Sequence, residues 1–144
     1  MSDKIEQEIT INAPIATVWK VITSPEHITK WFSDKVEIDL RKGGKGKLSW
    51  EKFGESPLEV TALDEPTLFA FTWIAADEET RSTNQQTLVE FRLVEDADST
   101  KLHLTESIFG KLQLTDKQKD NIFEKHSSGW SFFAERLKQH AETL

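Results

Sequence analysis

The chain contains no cysteine and no tyrosine. Without cysteine there are no disulfides, no thiolate nucleophile and no cysteine-ligated zinc or iron–sulfur site. Without tyrosine, the aromatic residues, nine Phe and five Trp, bring large apolar rings but no phenolic hydroxyl for acid–base work. No apolar run approaches the roughly 20 residues of a membrane-spanning helix, so membrane insertion is not expected. Positive charge is in deficit: 18 Lys and Arg face 25 Asp and Glu, a formal net charge of −7. A nucleic-acid or anionic-membrane partner calls for the opposite sign. The opening residues, Met1-Ser2-Asp3-Lys4-Ile5-Glu6, are charged and hold no apolar signal core, and the chain reads as cytoplasmic.

Chemical motifs are equally scarce. His27, His103, His126 and His140 have no metal-ligand spacing. No nucleophile elbow and no dinucleotide fingerprint occurs. The stretch Arg41-Lys42-Gly43-Gly44-Lys45-Gly46-Lys47 lacks the Gly-Lys-Ser/Thr ending of a phosphate-binding loop and reads as a hairpin turn. Neither a metal, nor a cofactor, nor a catalytic set is expected.

What is present is periodicity. Ile5, Ile9 and Ile11 alternate with Glu6, Glu8 and Thr10, as a half-buried strand does. Pro14 suits a helix start, and Ile15, Val18, Trp19 and Ile22 recur at helical spacing. Ser24-Pro25 opens a second short helix that ends near Trp31-Phe32. From Asp34 the period becomes two. It passes through Val36, Ile38 and Leu40, then Leu48 and Trp50, then Leu58, Val60 and Ala62. It continues through Phe69, Phe71 and Trp73, a polar loop over 75–85, then Thr87, Val89, Phe91 and Leu93, and finally Leu102 and Leu104. Thr115-Asp116-Lys117-Gln118 is a capping box. It opens a long helix whose wide face carries Ile122, His126, Trp130, Phe133 and Leu137, running to about Ala141. Residues 1–144 thus form a single α+β domain of order β-α-α-β6-α. Short connections make its sheet antiparallel, and the long helix lies against it. One helix cannot fill the concave side of a bent sheet, so a cavity lined by both is expected.

Particular residues carry a family resemblance. Ile11-Asn12-Ala13-Pro14-Ile15, Val18-Trp19, Ile22 through Glu26, and Trp31-Phe32 resemble the N-terminal signature of the heat-shock-protein-90 ATPase activator homologue-like family. Gly43-Gly44, Leu68 through Trp73, Leu102 through Ser107 and Gly129-Trp130 follow as its later landmarks, in order. The resemblance implies a bacterial member of the START-like, Bet v 1-like superfamily. Its helix-grip fold wraps a curved sheet around a C-terminal helix, and its cavity takes lipids, sterols, polyketides or flavonoid-like molecules. Two departures stand out: Ser56-Pro57 and Ile108 occupy places where the family commonly has glycine.

Strand parity puts Glu106 inward with Leu102 and Leu104, where it either hydrogen-bonds a ligand with a raised pKa or meets water or a lysine at the strand end. His126, one turn before Trp130, is either a ligand contact and base or a satisfied core residue. The rings of Trp31, Phe32, Trp50, Phe71, Trp73, Phe91, Trp130 and Phe133 are candidate cavity walls, with Glu106 and His126 the polar contacts of a pocket under Trp130 and Phe133. Gly129 suggests a close helix–sheet approach or a slight bend. The leading expectation is a binding or carrier protein for a small hydrophobic molecule. The alternatives are a cyclase- or hydratase-type enzyme using Glu106 and His126, and a co-chaperone-like interaction module. A weak homodimer and a chaperone partner stay open.

Overall fold

The computed structural model describes residues 4–74 and 83–144. The expected order is reproduced: β1 (Ile5–Ile11), α1 (Ile15–Thr23), α2 (Pro25–Trp31), β2 (Lys35–Ile38), β3 (Lys45–Trp50), β4 (Gly54–Asp64), β5 (Leu68–Ile74), β6 (Gln86–Asp96), β7 (Ser99–Ser107) and α3 (Asp116–Glu142). A 3-10 turn, Phe109–Lys111, which no periodicity announced, leads into α3. Most of the loop expected over 75–85 lies outside the described residues. The strands form one antiparallel sheet in the order β1-β7-β6-β5-β4-β3-β2. Strands adjacent in the chain are adjacent in the sheet from β2 to β7, and β1 pairs with β7 after α1 and α2 have carried the chain to the far edge.

The alternating patterns place the core. Val89, Phe91 and Leu93 on β6 and Leu102, Leu104 and Glu106 on β7 are buried on the concave face, while His103 turns outward to Glu8 across the β1–β7 pair. Leu40, expected on β2, lies beyond its end and is exposed. β4 begins four residues earlier than the alternation suggests, so Ser56-Pro57 sits inside a strand. There the buried Ser56 hydroxyl accepts the Ile74 N–H at 3.1 Å, and Pro57 faces Lys47 of β3. A register shift between Val60 and Ala62 bends β4. Gly43 takes φ +83°, and a Cβ on Gly44 would lie 1.9 Å from the Asp39 carbonyl oxygen, which explains why glycines make this turn.

α3 starts with both halves of its capping box formed between Thr115 and Gln118. Its buried stripe is Ile122, Trp130, Ala134, Leu137 and Ala141; His126 and Phe133 sit at the margin, half-buried. The helix also lies beside the open edge of β1: Gln7 Nε2 donates to Ser131 Oγ at 2.9 Å and Lys138 Nζ to the Thr10 carbonyl at 3.1 Å. An uncovered strand edge invites pairing with other chains, and α3 shields this one.

Two backbone positions differ from expectation. Gly129 makes no tight approach to the sheet, since an added Cβ would meet only the Phe133 ring, at 3.9 Å. Ile108 adopts φ +66°, a left-handed conformation that costs a β-branched residue roughly 1–2 kcal/mol. It leaves β7 just before the 3-10 turn, where the path needs a left-handed residue. Gly129→Ala and Ile108→Gly should therefore each raise stability, by about 0.5–1 kcal/mol, measured by urea or thermal unfolding. A loss of stability in Gly129→Ala would show that the helix needs the missing side chain.

Candidate functional site

Among the described residues, Glu106 is the one buried acid, with none of its surface exposed. Antiparallel register sets its neighbours: Val89 lies opposite Glu106, so Thr87, two residues away on the same face of β6, reaches the carboxylate diagonally. Trp73 lies opposite Thr87 on β5. From above, His126 and Trp130 are four residues apart on α3 and so share one face. The result is a carboxylate ringed by donors. Trp130 Nε1 donates to Oε1 at 2.8 Å, Trp73 Nε1 to Oε2 at 3.0 Å and the Thr87 hydroxyl to Oε2 at 2.5 Å. His126 Nδ1 lies 2.8 Å from both oxygens.

Burial by itself would raise the Glu106 carboxyl, as the sequence suggests. The His126 charge and the hydrogen bonds from His126, Thr87 and Trp130 more than offset it, and the carboxyl is held below its ordinary value. Glu106 is therefore a structural anion rather than a proton donor. A carboxylate accepts, so His126 Nδ1 carries the proton between them. The His126 side chain keeps 15% of its surface exposed, and its Nε2 has no hydrogen-bond partner among the described residues. The sequence offered Glu106 and His126 as a possible pair without showing that they touch; the structure puts them in direct contact. Thr87 was missed, although its inward parity beside an inward acid was the available signal. The indole N–H groups of Trp73 and Trp130 were missed too, because the rings were read only as apolar walls.

The eight candidate wall residues form one continuous ring network. Phe32 is its hub, stacked on Trp31 at 4.9 Å and on Trp130 at 5.2 Å between ring centroids. It meets Trp50 and Phe133 edge-on at 5.2 and 5.1 Å, and lies 5.7 Å from Trp73. Phe91 packs edge-on to Trp31 and Trp130 and against Phe71. The indoles of Trp31 and Trp50 donate to the Val21 and Phe32 carbonyls. The ligand-sized pocket expected under Trp130 and Phe133 is thus occupied by the rings themselves, because edge-to-face and stacked pairing lets them fill the concavity. What remains is an apolar cavity between α2 and the sheet, walled by Ile28, Trp31, Phe32, Leu58, Phe71 and Phe91 among others. About 10 Å³ of it is open to the centre of a water molecule, room for about one. Glu106, His126, Trp50, Trp73, Trp130 and Phe133 do not line it.

With this arrangement in hand, comparison with known proteins is informative. A sequence profile of the activator of Hsp90 ATPase homolog 1-like proteins matches residues 12–142. The chain belongs to that family. Among solved structures, MLL2253 from Mesorhizobium loti shares 22% identity over 97% of each chain, with a TM-score of 0.82. The Aha1 dimer from Colwellia psychrerythraea shares 20% identity, with 99% of this chain and 97% of that one covered and a TM-score of 0.76. DynU16, a protein of the dynemicin biosynthetic locus, shares 19% identity with a TM-score of 0.79, but its match covers 99% of this chain and only 48% of its own. The chain spans about half the length of DynU16. At such identities the likeness establishes the helix-grip fold. No curated protein matches the chain. No helix among the described residues is long and apolar enough to cross a membrane.

The Glu106 cluster sets a stability prediction. Glu106→Gln places an amide N–H among the buried donors and leaves at least one of them without an acceptor, so it should cost about 1–3 kcal/mol in urea unfolding. The sign of the pH dependence follows from the lowered carboxyl. Its contribution is full above the ordinary Glu value of about 4.3, and is lost as pH falls through the lower folded value. That acid limb should be present in the wild type and weakened in Glu106→Gln.

Proposed function

We propose that residues 1–144 act as one domain that binds or carries a small hydrophobic molecule in the cytoplasm, with the ligand entering the concavity between the sheet and the helices. The observation that carries this reading is the cavity beside α2, whose described lining is entirely apolar, with the rings of Trp31, Phe32, Phe69, Phe71 and Phe91 set among six aliphatic side chains. Such walls favour flat ring compounds over polar substrates. Sterols, polyketides and flavonoid-like molecules fit that chemistry better than straight-chain lipids do. At about 10 Å³ open to a water's centre, the cavity takes a ligand only when Phe32 and α2 move outward. Trp50 and Phe133, half-buried at the margin of the ring network, are the side chains a ligand would meet first. Glu106 has its acceptor positions occupied, so the polar contact left for a ligand is His126.

The 2.8 Å contact between Glu106 and His126 favours a second reading, in which His126 takes a substrate proton at Nε2 and Glu106 is the positioning residue behind it. The co-chaperone reading rests on family membership alone.

Tryptophan fluorescence, titrated with a sterol, a flavonoid and a fatty acid, is expected to change saturably with the ring compounds. Trp31 lines the cavity and Trp130 stacks on its wall, so both indoles report on it. If no class produced a saturable change, the binding reading would fail. For the enzyme reading, His126→Gln should abolish turnover of a ring compound that the protein still binds, with affinity lowered by no more than about tenfold for the one lost polar contact.

A further inference from the structure

A half-buried contact between two histidines lies away from the Glu106 cluster, where α2 meets the last turn of α3. His27 Nδ1 and His140 Nε2 are 3.0 Å apart, and both residues are half-buried. Two imidazole nitrogens this close either converge on a metal ion or share a proton, and the ring placement separates these cases. The ring centroids are 5.3 Å apart. That exceeds the nitrogen separation by two ring radii, so the ring axes run along one line and the nitrogens meet head-on. Ligands of one metal would converge at an angle and draw the centroids closer. Among the described residues, no group of three metal-ligating side chains exists. The contact is an N–H···N hydrogen bond.

Such a bond needs one lone pair. A proton on His140 Nε2 removes that acceptor and sets N–H against N–H. The other ring nitrogen of His27, Nε2, lies 4.0 Å from Glu26 Oε1. Burial, the His27 charge and Lys30 all oppose that proton, and they hold His140 below the ordinary histidine value. The surrounding charges are unevenly placed. On α2 the anion, Glu26, is beside His27, while Lys30 acts on His140. On α3, Arg136, one turn before His140, donates to the Lys30 carbonyl at 3.2 Å. Among the described residues, no charged side chain of α1 bonds to either ring. The linkage sign is therefore fixed: the contact is fully stabilising above the ordinary histidine range and weakens as pH falls through the folded value of His140.

α2 has much to lose with this contact. It is seven residues long, and the His27–His140 bond and the Arg136 bond to the Lys30 carbonyl are its polar ties to α3 among the described residues. Ile28, Trp31 and the capping Phe32 are cavity wall. We propose that the His27–His140 bond is a proton-operated latch: when acid breaks it, α2 loosens from α3 and the apolar cavity beneath α2 opens. The opening of a ligand cavity rests on the binding function proposed above; the latch itself does not.

Amide hydrogen exchange of the intact protein at pH 7.5 and 5.5, corrected for intrinsic rates, tests the latch. Protection at Ile28 and Phe32 should fall in the wild type, by up to about tenfold for each pH unit between the ordinary histidine value of about 6.5 and the lower folded value. Amides near Trp130 should stay protected. The double variant His27→Gln/His140→Gln should show no such pH dependence, and His140→Gln alone should behave likewise if the double variant misfolds. Unchanged protection in the wild type, or the same acid loss in both variants, would overturn the latch. A parallel titration with 1-anilinonaphthalene-8-sulfonate reads the cavity. Dye uptake rising with α2 exchange supports opening of the cavity. Loss of α2 protection without dye uptake upholds the latch and overturns the opening of a ligand cavity.

Discussion

Everything inside the sheet is arranged around one negative charge. A carboxylate without solvent is tolerable only where donors replace its hydration, and Glu106 receives them from three elements besides its own. β5 supplies Trp73, β6 supplies Thr87, and α3 supplies His126 and Trp130. Satisfying all of them at once fixes the β5–β6–β7 register and the rotation of α3. A slip of one residue in β7 would turn Glu106 to the outer face and put Thr105 or Ser107 inside. A turn of α3 about its axis would withdraw both His126 and Trp130. The aromatic packing specifies volume, and the carboxylate specifies which of many similar packings is adopted.

This division explains what the sequence could and could not reveal. Period-two and period-3.6 patterns are local, and they disclosed the strands, the helices and the inward parity of Glu106. The capping box at Thr115 and the hairpin glycines at Gly43-Gly44 were also local, and each formed as read. Partnership across the sheet is not local. Trp73, Thr87 and Glu106 meet only because three strands are in register, and nothing near Trp73 in sequence says that its indole N–H will face an acid. The same holds for His27 and His140, which are 113 residues apart. The filled cavity was illegible for a related reason. Whether eight rings enclose a space or fill it depends on stacking angles, which composition does not encode.

The helix-grip fold is shared with proteins of widely differing sequence, and a fold of this kind does not by itself assign a function. The interior of this chain is divided in two. Under α3 the space is closed by rings bonded to a saturated polar cluster. Beside α2 it is apolar, slightly open and covered by a short helix with few polar ties. Ligand access and conformational freedom are therefore expected on the α2 side, while the α3 side supplies rigidity. Ile108, strained at the exit of β7, and Gly129, unneeded in the middle of α3, lie near the rigid half, where the fold can absorb an imperfect backbone choice.

The central claim is that Glu106 is ionised in the core and held so by its four donors. Carbon-detected NMR of the Glu106 side-chain carboxyl, followed as pH is lowered, tests it most directly. The expected result is the chemical shift of an ionised carboxylate at neutral pH, persisting below the ordinary glutamate range. A carboxyl already protonated at neutral pH, or titrating at or above the ordinary glutamate value, would contradict it.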